Sequence, residues 1–258
     1  MCIAYIAIAA HPDWPVFIAA NRDEYHDRPA RAARPWPDHP QVIAGIDEQA
    51  NGTWLGVTTS GRFALITNFR DPSHKLANPP SRGALTRHFL TTTEPAHDYA
   101  VAVSRRAHTF NGFNLILGDT HGVFYVGNRQ EPCLPVRLEA GRHVVSNHLL
   151  NTPWPKAQRL RQALDAYPQA ALFDNLDPVF ELLKDTTPAP DHTLPSTGVS
   201  LEMERLLSSP FIISPGYGTR CSTIVAIHAS GRAIFSETSY DPSGTAIRRH
   251  DWPFNVSP

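Results

Sequence analysis

The sequence predicts an α+β fold in which two antiparallel sheets pack together between layers of helix. Two observations lead to this prediction. Strand-like apolar segments come in pairs joined by short turns, which is typical of antiparallel hairpins and unlike the alternation of strand and helix in parallel sheets. Segments with helical periodicity lie between the pairs. Sheets with two apolar faces need cover on both sides, which favours helices outside a pair of stacked sheets.

Four predicted hairpins have turn-forming residues where their two strands meet. In chain order they are Cys2–Ala10 with Val16–Ala20, Thr53–Thr59 with Arg62–Asn68, Phe113–Gly118 with Val123–Gly127, and Thr223–His228 with Arg232–Glu237. Further strands are predicted at Val42–Ile46, His143–Asn147 and Thr245–Arg249.

Helices are predicted where apolar residues recur at every third or fourth position. The clearest pattern covers Lys156–Tyr167, and Pro155 suits the first turn of that helix. Weaker patterns predict helices at Gly83–Leu90, Ala96–Ala107, Pro178–Lys184 and Leu201–Leu207. Ser81 and Asp177 are predicted to cap the first and third of these weaker helices.

Proline-rich stretches separate these elements. The 24 prolines concentrate in Arg28–Pro40, Asp71–Pro80 and Thr186–Pro195, which are predicted to be stiff loops. The residues after the last stretch resemble further strands of the same sheets. Residues 1–258 are therefore predicted to form a single domain.

Composition excludes several classes of protein. A formal net charge of -1 without a basic block argues against a nucleic-acid partner. No apolar run reaches the roughly 18 residues of a membrane-spanning helix, so no span is predicted. Cys2, Cys133 and Cys221 are too few and too scattered for a disulfide framework, which favours a reducing compartment and predicts the cytoplasm.

No common cofactor or metal motif is present in the sequence. The chain has no His-Glu-x-x-His, no Cys-x-x-Cys, no phosphate-binding loop and no dinucleotide-binding glycine pattern. The 13 histidines are dispersed, often next to proline or in predicted turns. We therefore predict no metal site and no required cofactor, although a haem ligand among these histidines remains an open alternative.

Cys2 is the residue with the clearest chemical potential. Removal of Met1 would leave it with both a thiol and a free α-amine. The amine titrates near pH 7.7–8.0 and a thiol near about 8.5, so the amine can accept the thiol proton. Cys2 also opens an apolar run, where a free cysteine is a common core residue. Its assignment as a nucleophile therefore depends on partners elsewhere in the chain.

Polar residues at the ends of the predicted strands are candidates for those partners. They occur in Asn21-Arg22-Asp23-Glu24, Asn68-Phe69-Arg70, Ser146-Asn147-His148 and Gly218-Thr219-Arg220. Residues of these types are also ordinary strand terminators. Together, however, they supply an acid, side-chain amides and a guanidinium, which suit acyl transfer because amides and arginine stabilise developing negative charge.

These motifs identify a family resemblance that extends over nearly the whole chain. The sequence resembles the NRDE family, which includes the transport and Golgi organisation protein 2 homologues. The matching motifs are Met1-Cys2, Asn21-Arg22-Asp23-Glu24 with Arg28-Pro29, Thr53-Trp54-Leu55-Gly56, Leu65-Ile66-Thr67-Asn68-Phe69-Arg70, Ser81-Arg82-Gly83, Ser146-Asn147, Trp154-Pro155-Lys156 and Tyr217-Gly218-Thr219-Arg220. Asn51 and Cys221 depart from the usual pattern.

The resemblance implies an αββα sandwich similar to the N-terminal nucleophile hydrolases that cleave linear amides. It implies a small acylated substrate with a linear, non-peptide amide bond. By the resemblance, Cys2 is the nucleophile and Asp23 holds its amine. Asn68 and Asn147 line the oxyanion hole, and Arg220 stabilises the charged centre. Arg22 carries over less directly, because the related acylases place their arginine where this chain has Ala20.

The resemblance leaves a second function open. A carrier or chaperone could keep the fold without the chemistry and bind haem, acyl-CoA or lipid in the same cleft. Trp54 and Phe69 would then supply an apolar wall, and carboxylates or phosphates would be met by Arg22, Arg70, Arg220 and Lys156. No sequence feature favours a third alternative, a protein-interaction module.

Overall fold

The computed structural model describes residues 2–168 and 175–256. Within these residues the strands are β1 (Cys2–His11), β2 (Trp14–Tyr25), β3 (Ala30–Trp36), β4 (His39–Asp47), β5 (Leu55–Thr58), β6 (Phe63–Asn68), β7 (Phe113–Asp119), β8 (Gly122–Gly127), β9 (Val136–Arg137), β10 (Gly141–Val145), β11 (Tyr217–Ile227), β12 (Arg232–Tyr240) and β13 (Ala246–Asn255). The helices are α1 (Gly83–Thr91), α2 (Ala96–Arg106), α3 (Pro155–Asp165), α4 (Asp177–Leu183) and α5 (Leu201–Leu206).

The strands form two sheets in which neighbouring strands run antiparallel. The first sheet has the order β10-β1-β2-β11-β12-β13 and so joins both ends of the chain. The second has the order β3-β4-β5-β6-β7-β8-β9. Most neighbours are consecutive in the chain, as short hairpin connections require.

Three apolar clusters show how the layers stack. Between the sheets, Ile18 and Phe235 of the first sheet share a cluster with Leu65 of the second. On the outer face of the second sheet, Phe89 of α1 belongs to a cluster with strand residues. On the outer face of the first sheet, Leu160 of α3 does the same. The layer order is therefore αββα, which confirms the predicted fold class.

The predicted hairpins are all present, but β2 continues five residues beyond Ala20 and β11 begins six residues before Thr223, so residues 21–24 and 218–220 lie within strands and do not terminate them. They correspond to β1–β2, β5–β6, β7–β8 and β11–β12. The predicted helices are present as well, and α3 begins at Pro155, where a missing N–H is tolerated.

The stretch Arg28–Pro40 was predicted to be a loop, and this is wrong for most of its length. Residues 30–36 form β3, and β4 begins at His39. The strand tolerates Pro35 because β3 lies at the edge of its sheet, where one row of backbone N–H groups has no strand partner. An edge position cannot be read from the local sequence.

Two further predictions need correction. The last strand extends to Asn255 instead of ending at Arg249, and Pro253 is again accommodated at a sheet edge. Ser81 and Asp177 do not cap helices: α1 follows Arg82, α4 begins at Asp177 itself, and neither helix has a side-chain cap hydrogen bond.

In the part of the chain that the structure describes, no helix has both the length and the apolar character needed to cross a membrane.

Candidate functional site

The start of β1 lies beside the end of β2, which in turn lies beside the start of β11 in the same sheet. Cys2 is opposite Arg22 on β2, and Arg22 is opposite Cys221 on β11. Directly opposed residues of antiparallel strands project to the same face, so these three side chains share one face of the sheet. The register shifts between Thr219 and Cys221, which makes Arg220 the extra residue of a β-bulge.

Asp23 is held rigidly next to Cys2. Its Oδ1 accepts a hydrogen bond from Thr219 Oγ1 at 2.7 Å, across the β2–β11 pair. The side chain is buried, and this burial raises the pKa of Asp23. Its backbone hydrogen-bonds the Cys2 thiol. The acid predicted to hold the nucleophile's amine therefore lies in contact with Cys2.

The Cys2 thiol is in a desolvated position beside a fixed positive charge. Burial raises the pKa of the Cys2 thiol, and the charge of Arg22 opposes this rise. The Arg22 guanidinium carbon lies 4.4 Å from the centre of the Trp54 ring, a cation–π contact. Its Nη2 is also 3.8 Å from Glu24 Oε2. These contacts fix the orientation of Arg22 at the nucleophile.

Asn68 and Asn147 are adjacent but have different positions. Asn68 ends β6 in the second sheet and lines the cavity that contains Cys2. Asn147 has 0% exposure, and its Nδ2 donates to the Asn68 carbonyl oxygen at 3.0 Å. The neighbouring Ser146 Oγ donates to the Cys2 carbonyl oxygen at 3.0 Å. Asn147 thus supports the cavity wall from behind, while Asn68 belongs to the wall itself.

Lys156 is a buried cation behind this wall. It has 2% exposure, and its Nζ is 3.4 Å from Asn147 Oδ1. Burial and the nearby charge of Arg70 lower the pKa of Lys156 to about 8, while Asp23 and Cys2 act in the opposite direction. The motif Trp154-Pro155-Lys156 therefore delivers a charge to the interior and not to an open ligand surface.

Arg220 is directed away from the nucleophile. Its Nη1 lies within hydrogen-bond distance of the carbonyl oxygens of Tyr25, His26 and Arg28, at 2.8, 3.2 and 3.2 Å. The guanidinium therefore holds the chain that leaves β2. The arginine that stands next to Cys2 is Arg22.

The candidate residues open onto a cavity of about 450 Å³, which we call the nucleophile cavity. Its walls include Cys2, Asp23, Arg22, Trp54, Asn68, Glu24, Arg28, Asp47, Arg82 and Asn111. Most of these side chains are polar or charged. The cavity therefore suits the reacting and polar parts of a small molecule.

A second cavity of about 570 Å³ adjoins the first, and we call it the apolar cavity. Its apolar wall is formed by Phe69, Val199, Met203, Leu206, Leu207 and Tyr217. The two cavities share the wall residues Glu24, Tyr25, Asn68, Arg82 and Asn111. The apolar cavity is also lined by Arg70, Asp71, His74 and Lys75, so a molecule that spans the shared wall meets more apolar surface on that side but not a purely apolar one.

Arg70 also lines the apolar cavity but is engaged inside the protein. Its Nη1 is 2.6 Å from Glu204 Oε2, and both side chains are buried. Its guanidinium carbon lies 5.0 Å from the centre of the Trp154 ring. Arg70 therefore fixes α5, which carries Glu204, against the end of β6.

Arg82 is a site residue to which the sequence analysis gave no role. It lines both cavities, and its Nη1 donates to the Gly112 carbonyl oxygen at 3.0 Å. Its electrostatic partners include Cys2. The motif Ser81-Arg82-Gly83 was a signal for it, but the motif follows a long proline-rich loop whose path the sequence does not specify.

Comparisons with known proteins give one consistent family match. The model of the family described as Transport and Golgi organisation 2 matches residues 1–242. The chain is 34% identical to the Transport and Golgi organization protein 2 homolog of Bos taurus, covering 98% of this chain and 99% of the relative. The Homo sapiens homolog is also 34% identical, with 93% of each chain covered. The Drosophila melanogaster protein is 23% identical, with 97% of each covered.

Two solved structures show more distant similarity. One is the Caenorhabditis elegans ortholog of N-acylethanolamine-hydrolyzing acid amidase, with 13% identity, 86% of this chain and 92% of that chain covered, and a TM-score of 0.47. The other is a C2A mutant of the conjugated bile acid hydrolase from Clostridium perfringens, with 10% identity, coverage of 100% and 98%, and a TM-score of 0.49.

Proposed function

We propose that this chain, which belongs to the Transport and Golgi organisation 2 family, is an N-terminal-cysteine hydrolase. Its substrates would be linear, non-peptide amides of small acylated molecules. The observation that carries the proposal is the meeting of Cys2, Asp23, Arg22 and Asn68 at one cavity that adjoins an apolar cavity. The proposal is supported because a thiol, an acid, a cation and an amide are the groups that acyl transfer by a nucleophile uses.

In the proposed first step, the α-amine exposed by removal of Met1 takes the thiol proton, and the Cys2 sulfur attacks the amide carbonyl carbon. Asn68, on the cavity wall, donates to the developing oxyanion. Asp23, fixed by Thr219, holds the protonated amine. The C–N bond breaks as the amine returns its proton to the leaving nitrogen, and water then hydrolyses the thioester.

Intact-mass spectrometry tests this proposal on protein incubated with a thiol-reactive acylating agent. We expect loss of Met1 and addition of one acyl group at Cys2. Cys2→Ser should abolish selective labelling, whereas Cys133→Ser is the matched control because that thiol is half-buried outside both cavities. Folded protein that retains Met1, or that exposes Cys2 without acylation, would refute the hydrolase proposal.

A second candidate function is a non-catalytic carrier of haem, acyl-CoA or a related lipid. It is favoured by the burial that raises the pKa of the Cys2 thiol, because a neutral thiol is a poor nucleophile. The apolar cavity would take the apolar body of such a ligand, with the anionic groups near Arg82 and Lys75. Haem absorbance and acyl-CoA protection against thermal unfolding, both unchanged in Cys2→Ala, would favour this candidate over the hydrolase.

A further inference from the structure

We propose that Arg82 binds a carboxylate on the amine portion of the substrate, and hence that the substrates are N-acyl amino acids. This inference rests on the proposed hydrolase function and specifies its substrate class. It derives from the position of Arg82, from the pairing of the other charges in the nucleophile cavity, and from the chemical difference between the two cavities.

Arg82 occupies the boundary between the two cavities. It directly precedes α1 and lines both the nucleophile cavity and the apolar cavity. The bond from its Nη1 to the Gly112 carbonyl oxygen uses one N–H donor and anchors the guanidinium. Arginine has further N–H groups in a planar fork that matches a carboxylate. The side chain is thus anchored and retains donors for an anion.

The other arginines of the nucleophile cavity are close to carboxylates. Arg28 Nη2 is 2.6 Å from Asp47 Oδ2. Glu24 Oε2 is 3.8 Å from both Arg22 Nη2 and Arg28 Nε. Among the described residues, none of the ion pairs involves Arg82.

The lack of an ion pair matters because the Arg82 guanidinium is partly removed from water. Burial lowers the pKa of Arg82, because a desolvated cation is less stable than one in water, and the charges of Cys2 and Glu24 only oppose this effect from a distance. A ligand carboxylate at the guanidinium would supply a directly bonded counter-charge. Bidentate arginine–carboxylate pairs of this kind are among the stronger charged hydrogen bonds.

The shapes of the cavities determine which part of the substrate carries the anion. With the amide carbon at Cys2, an apolar acyl chain extends past Asn68 into the apolar cavity, towards Phe69 and Leu207. The amine portion stays in the nucleophile cavity, where Arg82 forms part of the wall. In an N-acyl amino acid the carboxylate is one carbon from the amide nitrogen, which keeps it in that cavity.

The overall reaction balances as hydrolysis. Water and the N-acyl amino acid give a carboxylic acid and the free amino acid. Addition of the Cys2 sulfur forms the carbon–sulfur bond and a tetrahedral oxyanion. Collapse of this intermediate breaks the carbon–nitrogen bond, and the thiol proton passes through the α-amine to the leaving nitrogen. Water then breaks the carbon–sulfur bond, and its proton returns to the thiol.

Calorimetric titration of Cys2→Ala with N-octanoylglycine and with N-octanoylglycinamide tests recognition without chemistry. The two ligands differ in the charge of one group. We expect the carboxylate to bind about ten- to a hundredfold more tightly, the range for a charged hydrogen bond. Adding Arg82→Gln should remove this preference, and Arg82→Lys should restore part of it.

Arg87→Gln is the matched control, because Arg87 also lies on α1 but donates to the Asn51 carbonyl oxygen and lines neither cavity. It should leave the preference unchanged. Equal binding of both ligands, no binding of either, or a preference that survives Arg82→Gln would overturn the proposal. Release of glycine from N-octanoylglycine is then measured with protein that retains Cys2. Selective binding without release of glycine would refute the hydrolase proposal and leave the proposed role of Arg82 standing.

Discussion

Two arginines were candidates to act on the Cys2 thiol, and only Arg22 lies beside it. Arg22 lies opposite Cys2 and its charge lowers the thiol pKa, whereas Arg220 donates to three backbone carbonyl oxygens of the chain that leaves β2. Substitution of Arg22 should therefore change the reactivity of the thiol, and substitution of Arg220 should change the stability of the protein.

We predict that Arg22→Met slows alkylation of Cys2 by iodoacetamide at pH 8, because loss of the positive charge raises the thiol pKa further and lowers the thiolate fraction. Arg220→Met should change the rate little and lower the melting temperature instead, because it removes hydrogen bonds to the backbone. The rates are measured by peptide mass spectrometry in a Cys133→Ser background. Equal slowing by both substitutions would show that Arg220 also acts on the thiol.

The sequence predicted part of this residue arrangement. Cys2, Asp23 and Asn68 do meet at one cavity, because the start of β1 lies beside the end of β2 and the end of β6 packs against them from the second sheet. Neither the orientation of Arg220 nor the burial of Asn147 was accessible, since a β-bulge and a hydrogen bond between the two sheets decide them. These are tertiary features without a local sequence pattern.

At the scale of elements, one ion pair fixes the short helix α5. Arg70 follows β6, and its bond to Glu204 is the link between that strand end and α5. Glu204 Oε1 also accepts a hydrogen bond from the Thr197 backbone N–H at 2.9 Å. Breaking a buried pair from one side leaves an uncompensated charge in the interior.

We predict that Arg70→Met lowers the free energy of unfolding by about 3–5 kcal/mol. The double variant Arg70→Met with Glu204→Met should recover much of this loss, because it leaves no buried charge behind. Urea denaturation of the two single variants and the double variant measures the coupling. Additive effects of the two substitutions would mean that the pair contributes nothing as a pair.

The elements also show where local sequence is informative. Hairpins with turn residues, and helices with regular apolar spacing, were predicted at the right places, but the polar ends of β2 and β11 were missed because their residues are also turn formers. The strand β3 was missed because prolines are a loop signal, and they fit a strand here only through its place at the sheet edge. The position of β3 at the sheet edge is decided by pairing with residues distant in the chain, and the sequence of β3 itself does not reveal it.

At the scale of the whole molecule, a buried carboxyl group connects the two sheets. Glu237 on β12 accepts a hydrogen bond from the Ala33 backbone N–H on β3 at 2.7 Å. Thr223 Oγ1 donates to its other oxygen at 3.3 Å. Burial raises the pKa of Glu237 above its ordinary value of 4.5. The contribution of this carboxyl group to the stability of the fold therefore depends on pH.

The folded protein holds the Glu237 proton more tightly than the unfolded chain does. Below pH 4.5 the group is protonated in both states. As pH rises from there to the raised pKa, the folded state binds more protons than the unfolded state, so this group makes stability fall. We predict that Glu237→Gln gains stability relative to the unsubstituted protein over that range. Thermal unfolding from pH 4 to pH 8 measures this, and a constant difference between the two proteins would contradict it.

The apolar cavity takes several of its apolar residues from one short stretch of chain, residues 199–207, which includes α5. The nucleophile and its neighbours lie on β1, β2 and β6, far from that stretch in sequence. Under the proposed hydrolase function, the fold therefore separates a reaction module from a selectivity module. Exchanging residues 199–207 for a longer or shorter segment offers an engineering route to new chain-length preferences while the reacting groups stay in place.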